Sequence, residues 1–327
     1  MRQSKVHCHF AKNSLALSQT TGPPRLGFMP TDLSQPMTTT PDAFAATRPR
    51  LHAIAYRMLG TRADAEDVLQ DAWLRWQQAD QAALQSAEAW LVTVVTRLSI
   101  DRLRAAKAER ADYIGCWLPE PLVEVEERTP ETVAELASDL SVAFMWALER
   151  LTVDERAAFL LRQAFDRDYD EIASMLGKSE AACRQLVHRA TERVRQGQRR
   201  FEVPRHTHRE LLAKFMHAAQ SGQTQAMEAL LAADAEFVGD GGGKMPASSK
   251  VLQGGHRIAN LYGVLPSKVE GGVDYRLAEV NGEPGLLRYF GGKLESAQAF
   301  VTDGERIVAI YVVRNPDKLQ GIAQQLH

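Results

Sequence analysis

Several features that would settle a function class at once are scarce in this sequence. Only three of the 327 residues are cysteine, Cys8, Cys116 and Cys183. Their number is odd and their spacing wide, which argues against a disulfide framework or a cysteine-based zinc site and leaves free thiols. No apolar run reaches the roughly 18–20 residues of a membrane helix, so the chain is expected to be soluble and without a membrane partner. The first ten residues carry charge but lead into no apolar stretch and no small-residue cleavage site, so a cytoplasmic location is expected. Neither charge is in excess: 39 Lys and Arg stand against 41 Asp and Glu, a formal net of -2. Apolar residues are not scarce, at 45%. General disorder is therefore excluded, and at roughly 100–200 residues per domain two or three packed domains are expected.

Balanced charge would argue against nucleic acid, but the balance is a sum of opposed segments. Lys178 to Arg200 holds seven basic and two acidic residues, and Arg97 to Arg110 holds five and two. Trp117 to Asp139 holds seven acidic residues against Arg128 alone. Screening confines phosphate attraction to about 10 Å, so two basic stretches joined by an acidic connector suggest two separate nucleic-acid contacts. Solvated helix faces are the plainer explanation for such a run taken singly.

The chain divides accordingly. Residues 1–41 are rich in Ser, Thr, Pro and Gln and read as a disordered tail, or as lying upstream of a later start at Met29 or Met37. Residues 42–108 are helical in pattern. Leu51, Ile54, Ala55, Met58 and Leu59 form one stripe closed by Gly60, and Thr61 with Asp64 opens a helix that turns Ala65, Val68, Leu69, Ala72 and Trp76 inward. The opposite face of that helix is acidic. A third helix, about 87–104, carries Trp90, Leu91, Val94, Val95, Leu98 and Leu103 and ends in basic residues. Pro119, Pro121 and Pro130 break residues 109–138 into a connector. Helices resume over 139–203, with Thr152 and Glu155 as a capping box. From 204 to 327 the pattern turns mixed: helices, then strand-like runs over 273–280, 285–289, 297–301 and 306–313. Asn281-Gly282 and Asp303-Gly304 are placed to make two-residue hairpin turns. The fold class expected is multidomain, two all-α parts followed by an α+β domain with a meander.

The most specific motif runs from Asp170 to Ala190. Ile172, Ala173 and Leu176 give a first helix its buried face, Gly177 turns the chain, and Ser179 caps a second helix whose Cys183, Leu186 and Ala190 face back. This is a helix-turn-helix. Its second helix projects Arg184, Gln185, His188 and Arg189, with Arg193 one turn on, toward base edges and phosphates of a major groove. The basic end of the third helix, Arg97, Arg102, Arg104 and Lys107, is weaker evidence, because a cation at a helix C-terminus is ordinarily matched to the macrodipole.

The blocks Ala65-Glu-Asp-Val-Leu-Gln-Asp-Ala-Trp-Leu-Arg-Trp76, Ala89-Trp-Leu, Ile100-Asp-Arg-Leu-Arg104 and the helix-turn-helix, in this order and spacing, resemble the extracytoplasmic-function sigma factors of bacterial RNA polymerase. Trp117-Leu-Pro-Glu-Pro-Leu122, Asp240-Gly-Gly-Gly-Lys244 and Asn315-Pro-Asp-Lys-Leu319 resemble the subgroup with a fused C-terminal SnoaL-like domain of the NTF2-like fold. The resemblance implies region 2 over 42–108, region 4 over 139–203 and the cone over 204–327. It implies core RNA polymerase (beta-prime clamp helices and beta flap) and promoter DNA as partners, a chain monomeric when free, and neither metal, cofactor nor catalytic residue. Asp67, Gln70, Asp71 and Trp73 match the polymerase-docking segment. Trp90, Arg97, Arg102 and Arg104 match the part that opens the -10 element and holds an unstacked base, with Arg97 where many members have Asn. The helix-turn-helix matches the -35 reader, and the connector would thread the polymerase channel.

The residues Trp117, Pro119 and Pro121 on one side and Asp240, Gly241, Gly242, Gly243 and Lys244 on the other are expected to form a regulatory contact between connector and cone. In the family the fused domain is understood to act in cis. The glycine run lacks the Lys-Ser/Thr ending of a phosphate-binding loop, so close backbone approach is its plainer use. Asp240, Lys244, Tyr262, Tyr275 and Arg288 could instead anchor or convert a small ligand. The alternative is thus an NTF2-like enzyme or ligand sensor fused to a DNA-binding module. A third reading is a helix-turn-helix repressor that binds duplex alone.

Overall fold

The helical stripes of the first half pair off as their periodicity requires. The computed structural model describes residues 41–124, 140–197, 201–248 and 250–325. The tail reading for residues 1–41, Cys8, Arg199, Arg200 and the acidic run from 125 to 139 fall almost wholly outside them. Helix α1 (Pro41–Leu59) ends at Gly60, whose φ of 77° closes it. In α2 (Arg62–Gln78) the Thr61 hydroxyl accepts from the Asp64 N–H, and the buried set is Ala65, Val68, Leu69, Ala72 and Trp76, as the spacing predicts. Helix α3 (Ala87–Glu109) runs five residues past the expected end and buries a wider face than expected, including Val92, Thr96, Ser99 and Ile100.

Helices α4 (Val142–Glu149), α5 (Val153–Gln163), α6 (Tyr169–Leu176) and α7 (Glu180–Gly197) follow. Gly177, with φ 64°, turns α6 into α7, and the Ser179 hydroxyl accepts from the Ala182 N–H. One apolar core runs through both helical parts. Leu51, Met58, Leu59 and Leu103 join Leu148, Leu151 and Leu160 in it.

The C-terminal part opens with α8 (Arg205–Gln220) and α9 (Thr224–Leu230). A seven-stranded sheet follows, in the order β1-β4-β5-β6-β7-β2-β3. Its strands are β1 (Val123–Glu124), β2 (Leu231–Asp240), β3 (Leu252–Gln253), β4 (Val273–Val280), β5 (Glu283–Phe290), β6 (Lys293–Thr302) and β7 (Ile307–Val313). All neighbours are antiparallel except β2 and β7. Helices α10 (Gly255–Gly263) and α11 (Leu265–Lys268) lie between β3 and β4, and α12 (Pro316–Gln325) closes the chain.

Asn281-Gly282 makes the expected two-residue turn, with φ 53° and 79°. The second expected turn is corrected. Four residues, Asp303 to Arg306, join β6 to β7; only Gly304 among them has positive φ, and the Asp303 carboxylate accepts from the Glu305 and Arg306 N–H groups instead. A true two-residue turn sits at Gly291-Gly292, φ 53° and 78°, between β5 and β6.

The two faces of the sheet bury different things. Phe300, Ile310, Leu286 and Tyr275 pack under Leu212, Phe215 and Tyr262 of α8 and α10. Leu287, Tyr289, Ala299, Tyr311 and Val313 on the other face pack against Leu118, Val123, Val142 and Ala143. The second face is therefore covered by the connector and by α4. β1 itself is a connector segment, read from the sequence as broken chain, whose Val123 pairs with Val280 at the sheet edge.

Candidate functional site

The acidic face of α2 is open to solvent. Asp67, Gln70 and Asp71 are exposed, Trp73 is half-buried against Phe44 with ring centroids 4.9 Å apart, and Leu74 beside them is 53% exposed. Leu74 was missed in the sequence because it falls off the buried stripe and was counted as neither core nor charge.

The basic end of α3 is exposed but tied to its neighbours. Arg97 donates to the Ser174 carbonyl of α6 (3.3 Å) and Arg104 reaches Asp154 of α5 (3.4 Å). Lys107 donates to the Leu151 carbonyl, and Arg102 donates to Asp64 (2.7 Å), which raises the pKa of its guanidinium. Trp90 is half-buried on Trp76, centroids 5.5 Å apart. Just beyond α3, Arg110 bonds Glu149 (3.2 Å) and the Leu59 carbonyl (2.9 Å). Glu149 also takes Arg156, a wholly buried arginine of α5 that donates through Nε to the Arg57 carbonyl (3.0 Å). The four expected -10 residues thus sit on one helix, three of them exposed arginines that each also bond a neighbouring element.

The second helix of the helix-turn-helix is arranged differently. Arg184, Gln185 and His188 are exposed. Arg184 keeps only a local pair with Glu180 (2.8 Å) and lies 4.9 Å over the Tyr169 ring. Arg189 projects away from the core as expected, and with Arg193, each half-exposed, it also bonds Glu155 of α5. Two guanidiniums one turn apart on α7 share the nearest buried carboxylate.

The connector and the C-terminal part meet around Asp240, which is wholly buried at the end of β2. Its carboxylate accepts from the Tyr113 hydroxyl (2.5 Å), the Leu118 N–H (2.9 Å), the Gly242 N–H (3.0 Å) and Lys318 Nζ (2.7 Å). Lys318 also donates to the Leu118 carbonyl. Burial pushes its ammonium pKa down to about 8 against the pull of Asp240. The Trp117 indole lies between two cations, Arg110 at 3.5 Å and Lys318 at 3.9 Å from its ring centre. It covers Gly60 so closely that a Cβ there would stand 2.5 Å from the ring.

Pro119 and Pro121 are buried in the same seam. Gly242 has φ 62°, and a Cβ on it would strike the Asn315 amide at 2.3 Å, so close approach is the use of this glycine. A Cβ on Gly241 would meet the Met245 carbonyl, and one on Gly243 would meet Ile114 of the connector. Lys244 is turned elsewhere, to the Asp317 carboxylate at 2.6 and 2.8 Å, so it takes no part in the contact expected of it.

A second joint lies at the β4–β5 turn. Asn281, 2% exposed, exchanges two bonds with Leu122 (N–H to carbonyl 2.7 Å, Leu122 N–H to Oδ1 3.0 Å). Its amide also donates to the Tyr56 hydroxyl of α1 and to the Leu140 carbonyl, both at 2.9 Å. Tyr56 donates in turn to the Glu120 carbonyl (2.7 Å). One turn residue thereby touches α1, the connector and the residue leading into α4. Its turn chemistry was legible; its side-chain partners, up to 225 positions away, carry no local signal.

On the other face of the sheet, Arg288 donates to Glu295 (2.7 Å), which also takes Arg314, and Tyr262 donates to Gln298 (2.8 Å). Of the residues considered as ligand anchors there, Arg288 and Tyr262 are thus partnered by Glu295 and Gln298, while the Tyr275 hydroxyl is buried without a hydrogen-bond partner among the described residues. Asp240 and Lys244 do not join them.

Comparison with known proteins follows this geometry. The sigma-70 region 2 family matches residues 43–109, and sigma-70 region 4 matches residues 141–194. The chain is 37% identical over 290 residues to the ECF RNA polymerase sigma factor SigJ of Mycobacterium tuberculosis, covering 85% of this chain and 92% of that one. It is 26% identical over 286 residues to the probable ECF RNA polymerase sigma factor SigI of the same species, covering 87% and 96%. The crystal structure of SigJ matches with a TM-score of 0.70 at 35% identity, over 86% of this chain and 98% of that chain.

Proposed function

The chain belongs to the extracytoplasmic-function sigma factors of RNA polymerase, and from that premise we propose how its parts divide the work. With core RNA polymerase it directs promoter-specific initiation of transcription. In our reading residues 42–108 and 139–203 are its two DNA-binding parts and 204–327 a regulator in cis. The open face of α2, with Asp67, Gln70, Asp71, Trp73 and Leu74, docks on the beta-prime clamp helices, and the region 4 part docks on the beta flap. Trp90, Arg97, Arg102 and Arg104 act at the -10 element. Arg184, Gln185, His188, Arg189 and Arg193 act at the -35 duplex.

One observation carries the regulatory reading. From Tyr113 to Glu124 the connector is bonded along its length to the C-terminal domain, through Asp240, Asn281, Lys318 and strand β4. A connector held this way cannot also thread a polymerase channel. In the same arrangement Arg97 and Arg104 bond α6 and α5, holding α3 against the second helical part. Undocking is therefore a step on the way to initiation, and the strength of the docking sets how often free chain reaches it. A few kcal/mol suffices to hold most molecules docked.

The test is in vitro transcription with limiting purified core polymerase and full-length Asp240→Ala or Asn281→Ala. Several-fold higher output than wild type is expected at equal folded concentration. Unchanged output removes the regulatory reading and leaves the sigma assignment standing.

A further inference from the structure

The capping box of α5 contains more than a cap. Thr152 and Glu155 exchange the two bonds of that motif: the Glu155 N–H donates to Thr152 Oγ1 (3.3 Å) and the Thr152 N–H to Glu155 Oε2 (3.1 Å). A cap of this kind ordinarily sits at the surface. Glu155 is instead only 3% exposed, and it takes two further donors from a different helix. Arg189 Nε reaches its Oε1 at 3.2 Å, and Arg193 Nη1 bonds its Oε2. Burial alone would raise the pKa of this carboxyl, but the Thr152 N–H and the two guanidiniums outweigh it and hold the group below the usual carboxylate range.

The geometry has an asymmetry that a purely structural ion pair would not need. One buried carboxylate faces two arginines, so the trio keeps a net positive charge. The arginine side chains remain 52% and 47% exposed. An arginine has five N–H donors in a rigid fork, and the bonds to Glu155 use one nitrogen of each. The remaining edges face solvent on the helix that also carries Arg184, Gln185 and His188. Unrestrained, two arginines at positions i and i+4 repel and scatter over many rotamers; a shared anion beneath them fixes both.

We propose that Glu155 is a positioning residue for promoter reading, orienting Arg189 and Arg193 so that their free edges clamp backbone phosphates beside the -35 element. Phosphate contacts carry no sequence information themselves, but they fix the register from which other side chains read bases. Held arginines therefore bear on selectivity, through Arg184, Gln185 and His188, as well as on affinity. The inference rests on the assignment of α7 as the -35 reader.

The test uses the full chain with core RNA polymerase and a promoter pool randomised over the -35 hexamer, its transcripts counted by sequencing at two salt concentrations. Glu155→Gln keeps an acceptor for the cap but releases the arginines. The output ratio between the preferred -35 sequence and the pool average should fall about tenfold, the scale of a lost base-pair discrimination. Salt dependence should not weaken, because no positive charge is lost. Thr152→Ala breaks the cap and leaves the carboxylate under its arginines, so it should keep the ratio. In an Arg189→Ala/Arg193→Ala background, which itself lowers the ratio, Glu155→Gln should add nothing.

An unchanged ratio in Glu155→Gln overturns the proposal. So does equal loss in Thr152→Ala, or a Glu155 effect that persists without the arginines, since each reduces Glu155 to a helix cap. If the double arginine variant keeps the ratio, the assignment of α7 fails and the proposal with it. Should Glu155→Gln not fold, Glu155→Asp retains the charge but withdraws it by one methylene; it should lose selectivity, and full selectivity there overturns the proposal equally.

Discussion

Helices α3 and α7 look alike as charge and differ as structure. Both end in a run of arginines, and a count along the chain gives each a net positive charge. On α7 the reading face, Arg184, Gln185 and His188, is exposed, and even the arginines held by Glu155 keep half their surface in water. On α3 the arginines are as exposed, but Arg97 and Arg104 bond across to α6 and α5, Arg102 bonds α2, and Lys107 caps the carbonyl end of α4. The α7 cations bond within their own helical part, whereas Arg97 and Arg104 tie α3 to the other one. Sequence charge marks a nucleic-acid face, but only the fold says which other elements that face is tied to.

The comparison breaks most readily at the Asp240 joint. Asp240→Ala leaves the Lys318 ammonium buried without its carboxylate and strips acceptors from Tyr113 and the Leu118 N–H. A loss of about 3–5 kcal/mol is expected in chemical denaturation, with the connector cut earlier than wild type in limited proteolysis. Protection equal to wild type would mean that the connector is held elsewhere.

Next in size is Glu149→Gln, which loosens α3 from the region 4 part directly by removing the charge shared by Arg110 and Arg156. About 3 kcal/mol of stability should be lost, and the α3 cations should become available to single-stranded DNA of -10 type, read by fluorescence anisotropy. If this variant binds no better than wild type at equal folded concentration, the tether of α3 to the second helical part is not what limits it.

On α7 the effects should be smaller and confined to duplex. Arg184→Ala is expected to cost about 1–3 kcal/mol at one -35 position if it reads a base, and chiefly to lower the salt slope if it meets a phosphate. Promoter-binding titrations with holoenzyme at several salt concentrations separate the two.

The smallest effect is one of pH. Lys318 has its pKa lowered from 10.5 to about 8, burial being the main cause. Between those values the unfolded chain binds the proton more fully than the folded one, so this lysine makes stability rise with pH across the window. Lys318→Met should abolish that rise, a difference of about 1 kcal/mol between pH 8 and 9 in paired denaturation curves. Parallel curves for the two proteins would show that Lys318 is not buried as a cation.

What was legible in the sequence was what repeats locally. The inward set of α2, the Gly177 turn, the capping box at Thr152 and the Asn281-Gly282 turn follow from spacing and from residues with few conformational alternatives. Gly291-Gly292 offered the same turn signal and was passed over because the flanking runs were drawn too short. β1 was hidden by the prolines around it, since a two-residue edge strand shows no alternation to detect. The site residues divide the same way. Asp240 and Trp117 were marked by the motifs containing them, whereas Tyr56, Tyr113 and Asn281 act through bonds to residues 64 to 225 positions distant. No periodicity records such a pairing, and charge counting cannot distinguish an arginine kept for DNA from one already bonded to Ser174.

The most direct measurement is the separation of two fluorophores, attached through unnatural side chains at the exposed Ala105 of α3 and Ala181 of α7, before and after core polymerase is added. The expected result is a short distance in the free protein that lengthens by tens of ångströms on binding core, and that is already broadly distributed in Asp240→Ala without it. A distance that is the same free and bound, and indifferent to Asp240, would contradict the tether of α3 to the second helical part.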